Sequence, residues 1–289
     1  MVERQKIRAF EVTVEEVVME APETVTLVLA QADASIPEYK AGQFLTIDPH
    51  QFKVIETQVA HLEHLKGKKE LTRAYSMSSS PLEPKLAITI KVEPYRPGED
   101  LHPPLLSPLL VYGMYPGARM HVHGFTGPYI LPPDVEERTD HVLHLVAGSG
   151  AVPNFSLLKF SLQSHPRLRH TLICSNKTWA DVIFREQLDA LAKANPERLK
   201  VVHTITREPD VSGYAGACKG RICRELLEDH VKDPQTCFAY VCGPAITSWE
   251  RRKALETKTN ATPRFLESAL GLLHELGVTN DRIKREAYG

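Results

Sequence analysis

Val146-Ala147-Gly148-Ser149-Gly150-Ala151-Val152-Pro153 ends an apolar run and opens a stretch of helical spacing. Its glycines let the backbone turn tightly and approach a pyrophosphate, and a helix N-terminus offers N–H groups and a positive dipole end. Pro153 suits a first helical turn, where its missing N–H is no loss. An ordinary strand-to-helix turn would read the same way. Working outward, His141–Ala147 is a short apolar run and Asn154–Gln163 has helical spacing. His170–Cys174, Leu199–Ile205 and Cys237–Val241 repeat the strand theme, with helices expected near Glu186–Ala194, Arg221–Val231 and Pro263–Leu276. Thr262-Pro263 is a helix start and Gly277 a stop. Strands alternating with helices imply a mostly parallel sheet covered on both faces.

Upstream the style changes. Val25, Leu27 and Leu29 alternate with Thr24, Thr26 and Val28, and Leu86, Ile88, Ile90 and Val92 with Ala87, Thr89 and Lys91. A period of two marks half-buried strands. Frequent turns, as at Pro97-Gly98 and Pro116-Gly117, fit a closed antiparallel barrel, which disposes of strand edges. The sequence therefore predicts a two-domain chain: a β-barrel over 1–132, a polar linker over 133–140, and an α/β domain over 141–289. His50–Thr72, rich in Lys, Glu, Gln and His, fits neither pattern and reads as a hairpin, a short helix or a loop.

With 289 residues the chain is long enough for two such domains. A net charge of −1 argues against nucleic acid as a partner. No apolar run is long enough to span a bilayer, so no membrane association is expected. The polar start Met1–Lys6 has no signal-peptide core behind it, and a cytoplasmic protein is expected. The five cysteines are odd in number and sparse, which does not make a disulfide framework. Cys218/Cys223 and Cys237/Cys242 open a plant-type iron–sulfur spacing, but the next ligand is missing from both, so buried reduced thiols are the expectation. His61/His64 and His121/His123 have metal-compatible spacings without a partner set, and no metal is expected.

Two further segments carry chemistry. Arg73-Ala74-Tyr75-Ser76 places Arg73 and Tyr75 on one strand face, where a fixed cation could clamp a phosphate while the aromatic ring packs on a flat ring system. Ser76, on the other face, could offer its hydroxyl to a ring nitrogen; a plain polar barrel strand is the alternative. Cys242-Gly243-Pro244 follows the strand Phe238–Val241, at the carboxyl end where open α/β sheets bind ligands. A buried small apolar residue is the commoner fate of a free Cys.

Taken together the chain resembles the ferredoxin–NADP+ reductase superfamily, and within it the bacterial reductases that feed oxygenases. The resemblance runs through Gly42-Gln43-Phe44, Arg73–Ser76, Ile90-Lys91-Val92, Gly124-Phe125-Thr126-Gly127-Pro128-Tyr129, Gly148–Pro153 and Cys242–Pro244. It implies a six-stranded antiparallel FAD barrel followed by a nicotinamide-nucleotide domain, with the reaction where the two halves meet. It also implies Arg73 on the FAD pyrophosphate with Ala74 beside it, Tyr75 along the flavin and Ser76 near its reactive nitrogen. Ile90, Lys91 and Val92 form the next FAD-binding strand. Ser107 matches a serine that contacts the same pyrophosphate, although the loop before it is longer and lacks paired glycines. For NAD(P)H it implies Gly148, Ser149, Gly150, Val152 and Pro153 at the nucleotide turn, Asn176 and Lys177 beyond the second strand, and Cys242, Gly243 and Pro244 beside the nicotinamide. Glu286 and Tyr288 resemble a Glu-x-aromatic ending whose ring covers the flavin; here Gly289 follows. The branch often continues into a fused 2Fe–2S domain, and this chain stops, so a separate electron acceptor is expected.

The implied activity is a reductase that takes hydride from NAD(P)H onto FAD and passes electrons singly to a ferredoxin-like iron–sulfur protein or an oxygenase. Hydride transfer requires the donor and acceptor atoms at about 3–3.5 Å, so Ser76, Cys242 and Glu286 contribute geometry and proton balance rather than a nucleophile. Ser175-Asn176-Lys177-Thr178 holds no acid for a ribose 2′-OH, while Lys177 could meet a 2′-phosphate, which leans to NADPH over NADH unless Lys177 is a solvated surface residue. A reductase of free flavin, ferric chelates or quinones, and a flavin-holding subunit that never meets nicotinamide, are the competing readings. One of two segments, the insert His50–Thr72 or the region Ser248–Thr262, is expected to meet a partner or the adenine end of FAD.

Overall fold

The computed structural model describes residues 8–31, 38–97 and 100–288. The polar start Met1–Lys6, Gly98 and Gly289 lie outside the described residues. The chain divides into two compact units, Met1–Ile130 and Leu131–Gly289.

The first unit holds β1 (Arg8–Ala21), β2 (Thr24–Gln31), β3 (Phe44–Ile47), α1 (Glu56–Lys66), β4 (Arg73–Ser76), β5 (Leu86–Lys91), α2 (Ser107–Tyr112) and β6 (Arg119–Thr126). Its six strands pair antiparallel in the order β4-β3-β6-β1-β2-β5. The two end strands then meet: Met77 bridges Ile88, and Ser78 N donates to Ala87 O at 2.8 Å. This closes the barrel. Val25, Leu27 and Leu29, with Leu86, Ile88 and Ile90, line a core shared with Val12, Val14, Leu45, Ile47 and Val122.

The insert His50–Thr72 is a helix flanked by tight turns. α1 buries Val59 and Leu62 and ends at Gly67, whose φ of +62° permits the left-handed cap. Gln51 extends the ladder of β6 with its side chain: Nε2 donates to His121 O (2.9 Å) and Oε1 accepts from His121 N (2.7 Å). The structure takes the short helix among the three readings of this segment; periodicity alone could not choose it, because only Val59 and Leu62 of its eleven residues are buried, too few for a 3.6-residue stripe.

The second unit holds α3 (Val135–Arg138), β7 (His141–Ala147), α4 (Ala151–Ser164), β8 (Arg169–Asn176), α5 (Arg185–Ala194), β9 (Leu199–Ile205), β10 (Ala217–Lys219), α6 (Arg224–Glu228), β11 (Phe238–Pro244), α7 (Ser248–Glu256), α8 (Phe265–Glu275) and β12 (Ile283–Tyr288). All strand pairs are parallel, in the order β10-β9-β8-β7-β11-β12. The apolar runs read from sequence are the sheet's centre, as expected of strands buried on both faces. Residues 133–140 belong to this unit: they contain α3, and Val135 is fully buried. α8 starts two residues beyond Pro263, capped by Arg264 and Glu267, and the chain leaves it at Gly277 with φ +91°. The carboxyl-terminal residues form the edge strand β12.

Candidate functional site

The glycine turn and the Cys-Gly-Pro segment prove to be one structure. Gly148 has φ +52°, a conformation glycine adopts without strain. A Cβ added to Gly150 would sit 2.0 Å from the Cys242 carbonyl oxygen and 2.5 Å from its carbon. One added to Gly243 would meet the Phe265 ring at 2.6 Å and Ala147 Cβ at 3.1 Å. Backbone therefore packs on backbone, and Gly150 admits no side chain at all. Parallel pairing sets Val146 and Glu286 on either side of Cys242, and Tyr288 beside Pro244. Gly148, Ser149, Gly150, Cys242, Gly243, Pro244, Glu286 and Tyr288 thus gather at the carboxyl ends of β7, β11 and β12. Val152 and Pro153 are buried inside the first turns of α4, so their side chains serve packing.

Cys242 is fully buried, and burial together with the Glu286 carboxylate pushes its thiol well above the ordinary range. It is a neutral thiol, not a thiolate nucleophile. Cys174 and Cys237 are buried and are pushed up to about 12, chiefly by that burial. Cys218 and Cys223 are exposed, contrary to the expectation of buried thiols throughout; both lie at the margin of the unit, near the short β10 and α6.

Where β8 ends, the Asn176 carbonyl accepts from Thr206 N (3.0 Å) and Thr206 Oγ1 (3.2 Å), and the Lys177 carbonyl accepts from Arg207 N (2.8 Å). Two cationic residues, Lys177 and Arg207, are thereby tied backbone to backbone. Beside them the Trp179 ring lies flat on Tyr214, centroids 4.6 Å apart and planes 5° apart, and Trp179 N donates to Glu208. Sequence reading missed this stack because single aromatics in irregular segments carry no period.

It also missed a buried polar chain beneath the turn. Asn154 Nδ2 donates to Gly150 O (3.0 Å), and Asn154 Oδ1 faces His144 Nδ1 (2.8 Å). His144 Nε2 faces His170 Nδ1 (3.1 Å), and His170 Nε2 faces Ser161 Oγ (2.9 Å). The available signal was a histidine inside each of two apolar strands.

In the barrel, β4 pairs with β3 so that Arg73 faces Ile47, Ala74 faces Thr46, Tyr75 faces Leu45 and Ser76 faces Phe44. Arg73 and Tyr75 share a face, Tyr75 packs against the core, Ser76 is buried and Ala74 is exposed. The Arg73 guanidinium donates to the Glu70 carboxylate and to Leu71 O, and Lys66 Nζ meets the other Glu70 oxygen. Ile90 and Val92 point into the core, and Lys91 between them is partly exposed. Ser107 is the first residue of α2. Ser78 Oγ, two residues beyond β4, is buried without a hydrogen-bond partner.

Among the described residues no helix is long and apolar enough to cross a membrane, and no three His, Cys, Asp or Glu stand together as metal ligands. The family model of the oxidoreductase NAD-binding domain matches residues 145–247, which run from the glycine turn through Cys242-Gly243-Pro244. The chain is 27% identical over 206 residues to NADH-cytochrome b5 reductase 2 of Coccidioides immitis; the match takes in 66% of this chain and 60% of that relative. The FAD/NAD-binding domain of a Vibrio cholerae nitric oxide dioxygenase superposes with a TM-score of 0.71 at 20% identity, covering 97% of this chain and 98% of that one. A ferredoxin NADP+ reductase from Neisseria gonorrhoeae, solved with FAD and NADP, gives 0.65 at 20% identity, covering 96% and 98%. Both likenesses are of fold.

Proposed function

We propose that this chain is an NAD(P)H-dependent FAD reductase of the ferredoxin–NADP+ reductase kind, whose electrons leave singly for a separate iron–sulfur protein or oxygenase component. The observation that carries the reading is the packing of the Gly148–Gly150 turn on the backbone of Cys242-Gly243, with Glu286 in register beside Cys242. That arrangement presents helix-start N–H groups, a neutral thiol and a carboxylate at one rim of a parallel sheet, where such sheets take nucleotides.

The barrel residues fit FAD by the same kind of test. A fixed cation, Arg73, stands on β4, and a buried Ser78 hydroxyl without a partner leaves a donor for a ligand. FAD, when bound, accepts a hydride and gives up its electrons one at a time. Arg73 and Ser107 hold its diphosphate, Ala74 and the Ile90-Lys91-Val92 strand line it through backbone, Tyr75 packs along the ring system, and the Ser76 hydroxyl orients it. In the second unit Gly148, Ser149 and Gly150 receive the nucleotide diphosphate, with Val152 and Pro153 fixing the helix behind them. Asn176 and Lys177 take the ribose, and Gly243 and Pro244 shape the nicotinamide end. Cys242 excludes water there and stays protonated, the Glu286 carboxylate stands in register beside it, and Tyr288 flanks Pro244.

The test is anaerobic titration of the purified full chain. A yellow protein bleached by stoichiometric NADPH or NADH, and reoxidised by an iron–sulfur protein, is the expected result. A protein that stays colourless when FAD is supplied overturns the proposal.

A further inference from the structure

The proton positions in the chain beneath the turn follow from donor chemistry. The Gly150 carbonyl can only accept, so Asn154 must present its Nδ2–H₂ there and its Oδ1 to His144. His144 Nδ1 therefore carries the hydrogen, and His144 Nε2 is an acceptor. It receives from His170 Nδ1–H, which leaves His170 Nε2 to accept from Ser161 Oγ–H. Four hydrogen bonds run in one direction, from the last turn of α4, across β8 and β7, and back to Gly150, the residue that precedes α4. All four side chains are buried: Asn154, Ser161 and His144 are 0% exposed, and His170 is 2% exposed. Tyr240 of β11 lies against the His144 ring, 5.8 Å between centroids, on the strand that leads into Cys242.

Gly150 is thus gripped from two sides. The Cys242 backbone fills the place of its side chain, and the Asn154 amide holds its carbonyl. We propose that Ser161, His170, His144 and Asn154 act as a positioning chain that fixes the Gly148–Gly150 turn and thereby sets its affinity for a dinucleotide. None of the four needs to touch the ligand. The inference rests on the reading of this turn as the NAD(P) site, and it names what determines that site's strength. Buried polar chains of this kind are costly unless every member is satisfied, and satisfied they specify a single arrangement of the core.

The test uses the full chain loaded with FAD and measures equilibrium dissociation constants for NADP+ and NAD+. His144→Leu fills the volume without a donor, Asn154→Leu removes both bonds, and His144→Asn restores an amide N–H near the Nδ1 position. The two leucine variants are expected to bind nucleotide about tenfold or more weakly, one decade per 1.4 kcal/mol. His144→Asn should return to within about threefold, because a single donor to Asn154 is restored. FAD content should match the wild type in all three. A merely structural role would lower thermal stability in all variants without this rescue of affinity. Folded, FAD-loaded His144→Leu that binds nucleotide as tightly as the wild type overturns the inference. Should His144→Leu not fold, Ser161→Ala at the far end substitutes: a loss of about twofold to fivefold is expected, and an unchanged constant overturns the proposal. Wild-type protein that binds neither nucleotide would instead overturn the reading of the turn.

Discussion

Arg73 in the barrel and Gly150 in the parallel sheet are the two places proposed to meet phosphate, and they are supported by opposite means. Behind Arg73 lies a chain of charges. Both ring nitrogens of His50 face carboxylates, Asp48 at 2.6 Å and Glu63 at 2.9 Å; Glu63 accepts from Glu70 N at 2.8 Å; and Glu70 holds Lys66 and Arg73. Behind Gly150 lies a neutral, buried chain. The difference follows from the donor. A guanidinium on a flexible stem at a half-exposed site needs a counter-charge to keep one orientation. A turn that offers backbone N–H groups is oriented by its backbone, so what must be held is a carbonyl, and an uncharged amide does that without importing charge into the core.

The largest expected effect breaks the second arrangement alone. Gly150→Ala puts a methyl group 2.0 Å from the Cys242 oxygen, backbone against backbone, with no side chain able to yield. The substitution is expected to destabilise the second unit by about 3 kcal/mol, the upper end of ordinary overpacking. A turn displaced by about 1 Å should weaken nucleotide binding roughly a hundredfold. FAD content should stay at the wild-type level. Thermal denaturation followed by tryptophan fluorescence reads the stability term, because the chain's two tryptophans, Trp179 and Trp249, both lie in the second unit. Unchanged nucleotide affinity would show that the turn is not the site.

Acidity separates the two supports by sign. Burial lowers His144 from 6.5 to about 4, opposed by its bond to Asn154 and aided by the nearby His141. Burial also lowers His170, with His144, His141, Arg198 and His165 adding to the effect. The unfolded chain then binds more protons between those values, so the stability these groups contribute is complete above pH 6.5 and is lost as pH falls toward 4. For His144 that loss amounts to about 3 kcal/mol in full. His50 behaves in the opposite sense. Its bonds to Glu63 and Asp48 raise it above 6.5, so its contribution is present below 6.5 and is lost as pH rises through the folded value. Denaturation midpoints from tryptophan emission should fall between pH 6.5 and 4, and His144→Leu should flatten that slope. FAD retention should weaken instead on the alkaline side of 6.5, and His50→Ala should abolish that dependence. Slopes of the same sign in both units would remove the distinction.

Glu70→Gln tests the charged support directly. Burial alone would raise the Glu70 carboxyl, but hydrogen bonds from Lys66 and Arg73 hold it below the usual carboxylate range. Removing a buried partner commonly costs about 3–5 kcal/mol. Here the Arg73 side chain is 36% exposed and can turn to water, so a loss of about 1–2 kcal/mol is expected. FAD affinity should fall with it, by roughly tenfold if the full 1.4 kcal/mol reaches the cofactor. Nucleotide affinity should not move. Tighter FAD binding in the variant would mean that Glu70 competes for Arg73 rather than aiming it.

How much of this was legible in the sequence depended on whether a feature is periodic. The barrel's Val25-Leu27-Leu29 and the sheet's apolar runs repeat at the spacing of their elements, so the architecture of the two units could be read. Gly150 and Gly243 were legible as turn residues, but their mutual packing was not, since it joins positions far apart in the chain. α1 stayed one of three open readings of its segment because it has only two buried residues. The helical turn in 133–140 was hidden by its polarity, although Val135 is buried. His144 and His170 were passed over because an isolated histidine in an apolar strand has no local partner to announce it; its partners are Asn154 and Ser161, one element away.

The smallest effect concerns which nucleotide the turn receives. Lys177 and Arg207 are joined through the Lys177 carbonyl at the end of β8, while the acids beside them are occupied, Asp181 by Thr178 N and Oγ1 and Glu208 by Trp179 N and the Tyr214 hydroxyl. A carboxylate free to take a ribose 2′-OH is what an NADH site places at this point, and a cation is what a 2′-phosphate requires. Lys177→Asp should therefore raise the KM for NADPH about tenfold, the scale of one charge-assisted contact, and change that for NADH less than about threefold. Arg207 left in place limits the change, so Lys177→Asp combined with Arg207→Ser should go further in the same direction. Steady-state rates with both nucleotides at one ionic strength read this, since a phosphate contact at a half-exposed site is screened by salt. Equal changes for NADPH and NADH would place Lys177 among solvated surface lysines and leave the preference to Arg207.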